Sequence, residues 1–293
     1  MTSSPESFEI EGADGKPLRG DLYQSTLAAA AIPAATRVAI LSHGFRGYKD
    51  WGFLPLLALH LAEAGISAVT FNFSGSGIAD RDGAFAEPER YRASTYGEQL
   101  TDLGLVVEWA IERLRPERAS SVSMDDPRIG LVGHSRGGAI SILHARSDPR
   151  VRCVAALASP ARIGVWPESY FEAWKRGEPA LTHDFRTGLR LPLGPELYRD
   201  LEAHRSRYDV FAAVESLRVP LLIVQGDRDR AVPLEEAKEL ASYAPAVSTE
   251  LRVIEGAGHN FQAGDKIRRT PPQLSELLAL VTAWMRRWLF ADL

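Results

Sequence analysis

RIGLVGHSRGGAISILHAR, residues 128–146, decides how this chain is read. Its first part is a short, almost continuous apolar run, the pattern of a strand buried on both faces. Its last part spaces apolar residues for a helix. Between them stand Gly133, His134, Ser135, Arg136 and Gly137. A strand that passes directly into a helix must turn within a few residues. The turning residue is forced into a strained backbone conformation, and its flanks come too close for side chains. Glycine two before and two after relieves that crowding. Ser135 is therefore expected to present its hydroxyl at the carboxyl end of a sheet. The turn aims a helix N-terminus at the same place, which favours developing negative charge there.

The same rhythm extends to both sides. RVAILSHG (37–44) and ISAVTFNF (66–73) read as buried strands, and LPLLALHLAEAG (54–65) as a helix with a glycine stop. Residues 95–115 space apolar positions three and four apart between charges, as a long amphipathic helix does. Asp102 and Glu98, one turn apart, are assigned to its polar face. VRCVAALASP (151–160), PLLIVQG (220–226) and STELRVIEG (248–256) supply later strands. Helices are expected near 233–244 and 272–290. Alternating strands and helices imply an α/β fold, a doubly wound and mostly parallel sheet. SFEIEG (7–12) and PLRGDLYQ (17–24) add strands joined by a turn at Ala13, Asp14 and Gly15. The alanine-rich stretch 27–36, broken by Pro33, and the polar stretch 116–127 read as loops.

Between about Arg162 and Val219 the rhythm stops, and Trp166, Tyr170, Phe171, Trp174, Phe185, Tyr198, Tyr208 and Phe211 accumulate. The expected division is a core of residues 1–161 and 216–293 with a cap insertion at 162–215. Most of these aromatics are expected to form the cap's own core, and the remainder to suit an apolar acyl or aryl group.

A chain of 293 residues with 45% hydrophobic and 25% charged residues can bury a sizeable core. A net charge of −4 gives no electrostatic case for nucleic acid or an anionic membrane. Cys153 stands alone in an apolar run and reads as a buried thiol. The start, MTSSPESFEIEGADG, lacks the basic and apolar parts of a secretory signal, so cytoplasm is the default compartment. No apolar run is long enough for a membrane span. Nothing in the sequence excludes a homodimer. The seven histidines form no HxH or HxxxH pairs with acids, so neither metal nor cofactor is expected. FNFSGSG (71–77) lacks the lysine and the spacing of a nucleotide loop.

A serine hydroxyl needs a base, and the base an orienting group. His259 follows one late strand, in GAGHNF (256–261), where glycines let the backbone swing the imidazole over the sheet edge. Asp227 and Asp229 follow another, in GDRDRAVP (226–233). An acyl-transfer site also needs donors for an oxyanion. SHGFRG (42–47), after an early strand, offers the Phe45 amide, and the elbow offers the amide of Arg136. His43 and His134 read as structural. Arg46, Tyr48 and Lys49 read either as contacts for a polar substrate group or as a solvated loop.

Taken in order, SHGFRGYKDWGF, FNFSGSG, GHSRGG, GDRDRAVP and GAGHNF resemble the α/β-hydrolase superfamily, from about residue 37 to the end apart from the insertion. Within it they are similar to bacterial feruloyl/cinnamoyl-esterase-like and dienelactone-hydrolase-like enzymes. True dienelactone hydrolases use a cysteine nucleophile, and dehalogenases and soluble epoxide hydrolases an aspartate; here the position is Ser135. The resemblance implies a triad of Ser135, Asp229 and His259, since G-x-x-D-x-x-V-P places Asp229 rather than Asp227 as the acid. It also implies Phe45 and Arg136 as oxyanion donors, and hydrolysis of small or medium acyl or aryl esters through an acyl-enzyme. The alternatives are a thioesterase, amidase or aminopeptidase on the same residues, or a ligand-binding module without catalysis. Glu168, Glu172 and Glu178, scattered among basic residues, lend an aminopeptidase little support.

Overall fold

Period-two alternation along the strands sorts their side chains onto two faces, and helices cover both. The computed structural model describes residues 4–25, 36–79, 83–115, 127–184, 187–245, 248–264 and 269–291. In chain order the elements are β1 (Glu6–Glu11), β2 (Pro17–Tyr23), β3 (Arg37–Ser42), α1 (Leu54–Glu63), β4 (Ser67–Phe71), α2 (Pro88–Ala93) and α3 (Tyr96–Leu114). Next come β5 (Arg128–His134), α4 (Arg136–Ala145), β6 (Val151–Leu157), α5 (Glu168–Lys175), β7 (Ala180–His183) and β8 (Arg190–Leu193). The last are α6 (Pro195–Ala203), α7 (Val210–Glu215), β9 (Leu221–Gly226), α8 (Leu234–Tyr243), β10 (Thr249–Ile254) and α9 (Pro272–Leu289). The stretches 27–35 and 116–126, read as loops, and Phe185 lie outside the described residues.

The main sheet has the order β1-β2-β4-β3-β5-β6-β9-β10. β1 and β2 pair antiparallel, as do β2 and β4; every pairing from β4 to β10 is parallel. Val38, Ile40, Ile129 and Leu131 point into a core shared with α3, α4 and α8. Ala39, Leu41 and Val132 point into a second core shared with α1 and α9. β4 and β5 lie on opposite sides of β3, so the winding direction changes there. A crevice forms beyond the strand ends at such a point. The loop after β3 and the turn after β5 therefore meet, with Ser42 opposite Gly133 in the ladder. Among the described residues no helix is long and apolar enough to cross a membrane.

Three buried polar side chains fix the loops that reach this crevice. The His43 Nε2 accepts the Phe73 N–H at 3.1 Å, so its Nδ1 carries the proton and donates to the Gly44 carbonyl at 2.8 Å. This joins the loop after β3 to the one after β4. The His134 Nε2 donates to the His259 carbonyl at 2.9 Å. Burial lowers the pKa of His43 to about 4 and that of His134 to about 3, so both are neutral imidazoles.

The third is Asp102, and it overturns the expectation of a solvated helix face. Its side chain is fully buried and accepts the Ala13 N–H at 2.8 Å, the Ser74 N–H at 2.7 Å and the Ser74 hydroxyl at 2.8 Å. It thereby ties α3 to the β1–β2 turn and to the segment after β4. Glu98 instead closes a reciprocal cap with Thr95 at the start of α3. Lys49 is not a solvated loop residue either: it is buried and paired with Asp21 and Asp50.

The segment between β6 and β9 builds its own small core. Trp174 is buried among Tyr170, Phe171 and Tyr198, and its indole N–H donates to the Leu193 carbonyl at 2.8 Å. Tyr91 donates to the Thr182 hydroxyl (2.9 Å), which donates in turn to the Leu191 carbonyl (3.1 Å). Gly97 N–H reaches Asp200 at 3.0 Å. These bonds anchor the segment on α2 and α3.

Two stability predictions follow from the buried polar groups. Asp102→Ala leaves the two buried Ser74 donors and the partly buried Ala13 N–H without their acceptor and is expected to lower stability by roughly 2–4 kcal/mol in urea unfolding. A change within about 0.5 kcal/mol, the scatter of surface substitutions, would contradict the role given to Asp102. His43 and His134 have folded pKa values below the ordinary 6.5, so the unfolded chain takes up their protons first on acidification. Stability is expected to fall between about pH 6.5 and pH 4, by up to about 1.4 kcal/mol per pH unit for each. His134→Asn should flatten that slope; parallel profiles for the two proteins would exclude His134 as a source.

Candidate active site

Ser135 is held at φ 53° and ψ −127°, a conformation few L-residues adopt. The two flanking glycines are required by contact. A Cβ on Gly133 would lie 2.1 Å from the Gly137 carbonyl oxygen. One on Gly137 would lie 2.4 Å from the Ser42 oxygen and 2.6 Å from that of His43. The Ser135 N–H donates to the Leu157 carbonyl at 2.8 Å, and its own carbonyl accepts from Gly138 at 2.8 Å. The elbow is thus fastened to β6 on one side and to the end of β3 on the other.

His259 lies on the loop after β10, and the Asp229 Oδ2 stands 2.8 Å from its Nδ1. Nδ1 donates this bond, which leaves Nε2 as the acceptor nitrogen of the neutral ring. The Asp229 side chain is wholly buried, whereas 24% of the His259 side chain is exposed. Asp229 also accepts the Ala231 and Val232 N–H groups at 2.8 and 3.0 Å, and the Gln225 amide at 2.9 Å. Burial alone would raise its pKa, but the His259 hydrogen bond and charge and these amides hold it below the usual carboxylate value. Asp227, the competing acid, instead accepts the Gly256 N–H at 2.6 Å on the surface.

Ser135 and His259 line one cavity of about 490 Å³, together with Gly44, Phe45, Arg46 and Trp51. Among the described residues no hydrogen bond joins the serine hydroxyl to the imidazole. Ser135 also lines a second cavity of about 470 Å³, beneath Ile163–Trp166, where Phe45, Tyr96 and Arg136 form the walls. The two cavities meet at Ser135, Phe45, Ala231 and Val232. Arg136 opens α4, where no intrahelical acceptor precedes its N–H. The Phe45 N–H has no hydrogen-bond acceptor among the described residues.

Of the loop residues left open between two readings, Arg46 lines the first cavity and donates to the His183 carbonyl, while Lys49 is sequestered below. Two contributors escaped the sequence reading. Gln225 braces the Asp229 carboxylate from within β9; its polarity in an otherwise apolar strand was the available signal. The Arg136 side chain lies in the second cavity, against the faces of Phe45, Tyr96 and Trp166.

Comparison with known proteins places these features in context. Est1E from Butyrivibrio proteoclasticus superposes with a TM-score of 0.66 at 20% identity, covering 97% of this chain and 99% of that one. The esterase domain of a Rhodothermus marinus protein gives a TM-score of 0.63 at 18% identity, over 98% and 100% of the two chains. GrgF, an alpha/beta hydrolase from Penicillium sp. sh18, gives 0.68 at 19%, over 99% and 100%. At these identities the likeness is one of fold. In sequence, an Escherichia coli protein described as an uncharacterized 31.7 kDa protein in the traX-finO intergenic region is 32% identical over 117 residues. That match spans 40% of this chain and 35% of the relative's length. The sequence profile of the alpha/beta hydrolase family matches residues 39–267, from the third residue of β3 to beyond the His259 loop, and the chain belongs to that family.

Proposed function

We propose that this protein is a serine hydrolase that cleaves carboxylic esters of small or medium acyl or aryl groups through an acyl-enzyme. The observation that carries the reading is the strained Ser135 sharing a cavity with a histidine whose other nitrogen is bonded to a buried carboxylate. In this scheme His259 Nε2 takes the Ser135 proton as Oγ attacks the substrate carbonyl. Asp229 holds the ring in the required tautomer and stabilises the imidazolium. The Phe45 and Arg136 amides receive the oxyanion, and both are supported by their lack of an acceptor among the described residues. His259 then protonates the leaving alcohol and activates the water that releases the acid.

That proton transfer orients the substrate. The leaving group has to lie on the side of His259, in the cavity with Trp51 and Arg46. The acyl group is then directed into the cavity walled by Phe45, Tyr96 and Trp166. Residues 162–215 act as the cap over this second cavity, on a core of 1–161 and 216–293. Two structural neighbours agree with the reading, the esterase domain of the Rhodothermus marinus protein and Est1E with ferulic acid bound.

A fluorophosphonate probe is expected to label Ser135 alone, with the adduct lost in His259→Ala. Turnover of 4-nitrophenyl acetate should fall on the order of 10³-fold or more in Ser135→Ala, and about 10²- to 10⁴-fold in Asp229→Ala. Folded protein with an adduct elsewhere, or turnover that survives Ser135→Ala, would overturn the scheme. A larger loss in Asp227→Ala than in Asp229→Ala would reassign the acid.

A further inference from the structure

The guanidinium of Arg136 has no anionic partner. It forms no ion pair and no side-chain hydrogen bond among the described residues, although other arginines near the crevice do. Arg162 pairs with Glu239, and Arg46 donates to the His183 carbonyl. The carbon of the Arg136 guanidinium lies 4.1 Å from the Phe45 ring centre, 5.2 Å from that of Tyr96 and 5.3 Å from that of Trp166. Aromatic faces stabilise the cation but accept none of its five N–H donors in the guanidinium plane. A half-buried guanidinium with idle donors is an incomplete arrangement. Burial accordingly pulls its pKa below the usual arginine value, and no carboxylate opposes the change.

The side chain lines the cavity that also holds Ser135. The one carboxylate on that cavity's wall, Glu236, is engaged elsewhere, accepting the Ala161 N–H at 2.8 Å. We infer that Arg136 is a specificity residue whose missing counter-ion is supplied by the substrate: an acyl group ending in a carboxylate, as in the hemi-ester of a short dicarboxylic acid. The acyl assignment rests on the proposed reaction, since His259 occupies the other cavity and the leaving group must face it. The rings of Phe45, Tyr96 and Trp166 then do two jobs. They cover the faces of the guanidinium and leave its edge for bidentate contact with a carboxylate. They also wall the methylene chain of the acyl group.

The test compares two 4-nitrophenyl esters that differ at the far end of the acyl chain. One is the glutarate hemi-ester, ending in a carboxylate; the other is its glutaramate isostere, ending in a neutral amide. The wild-type protein is expected to favour the carboxylate by at least about tenfold in kcat/KM, the effect of one charge-assisted contact. Arg136→Met should bring the ratio near one, and Arg136→Lys should retain part of the preference. A ratio near one in the wild type, or a preference that survives in a folded Arg136→Met protein, overturns the inference while leaving the serine-hydrolase reading in place. Binding is read separately in Ser135→Ala. Free glutarate should raise its Tm, and glutarate should not raise the Tm of the Ser135→Ala/Arg136→Met double variant. Loss of all turnover and of Ser135 labelling in the wild type would sink the reaction scheme. The glutarate shift would then decide the anion site by itself, its absence counting against it.

Discussion

The position of Ser135 depends on one close contact: the backbone of Gly137 against the carbonyls that end β3. No side chain fits there, so α4 can approach β3 far enough to pull the chain through a turn at a single residue. A residue held in such a conformation carries strain of about 1–3 kcal/mol, which persists only where its surroundings over-determine it. Here the ladder between Ser42 and Gly133, the bond from Ser135 to Leu157 and the packing of Gly133 on Gly137 do so together. The same contact sets the distance between the elbow and the loop that carries Phe45. Ser135 and the neighbouring amides are therefore one packed unit, and a change in either glycine would displace both.

His259 comes from a strand three places away in the sheet and needs its own restraints. Two neutral or anionic side chains provide them from different directions. His134, next to Ser135 in sequence, grips the carbonyl of His259, while Asp229 grips its ring. The first bond needs a proton on His134 Nε2, and burial keeps the ring that carries it neutral. A charged ring there would stand 4.9 Å from the His259 imidazole, the group that takes up a proton in the proposed reaction. Gln225 extends the restraint below, linking the Asp229 carboxylate to the Val232 carbonyl.

What the sequence disclosed, and what it hid, follows from the range of each interaction. The elbow, the apolar strands and the helix over Tyr96–Leu114 are specified by neighbours within one or two turns, and their pattern is legible locally. His259 and the pair Asp227 and Asp229 could be placed because each follows directly on a recognisable strand. Asp102 could not: its partner Ala13 is 89 residues away, and on a helical wheel a buried carboxylate looks like any solvated one. Lys49 and Asp21 were hidden in the same way. Between β6 and β9 the helices are short and are held by tertiary bonds to α2 and α3, so no periodicity announces them. The Arg136 side chain was overlooked because its backbone already had an expected role.

Tyr96 brings these threads together. Its hydroxyl accepts the Gly164 N–H at 3.1 Å and the Trp166 indole N–H at 3.2 Å, which pins the start of the segment between β6 and β9. Its ring faces the Arg136 guanidinium. The roof of the second cavity and the cation within it therefore share one residue on α3, a helix whose own first turn is fixed by the Thr95–Glu98 cap. A roof hung from this phenol cannot shift without moving Trp166 off the guanidinium and exposing the cation to water. The position of Trp166 is thus tied to α3 twice, once through the Tyr96 hydroxyl and once through the guanidinium face that it shares with the Tyr96 ring.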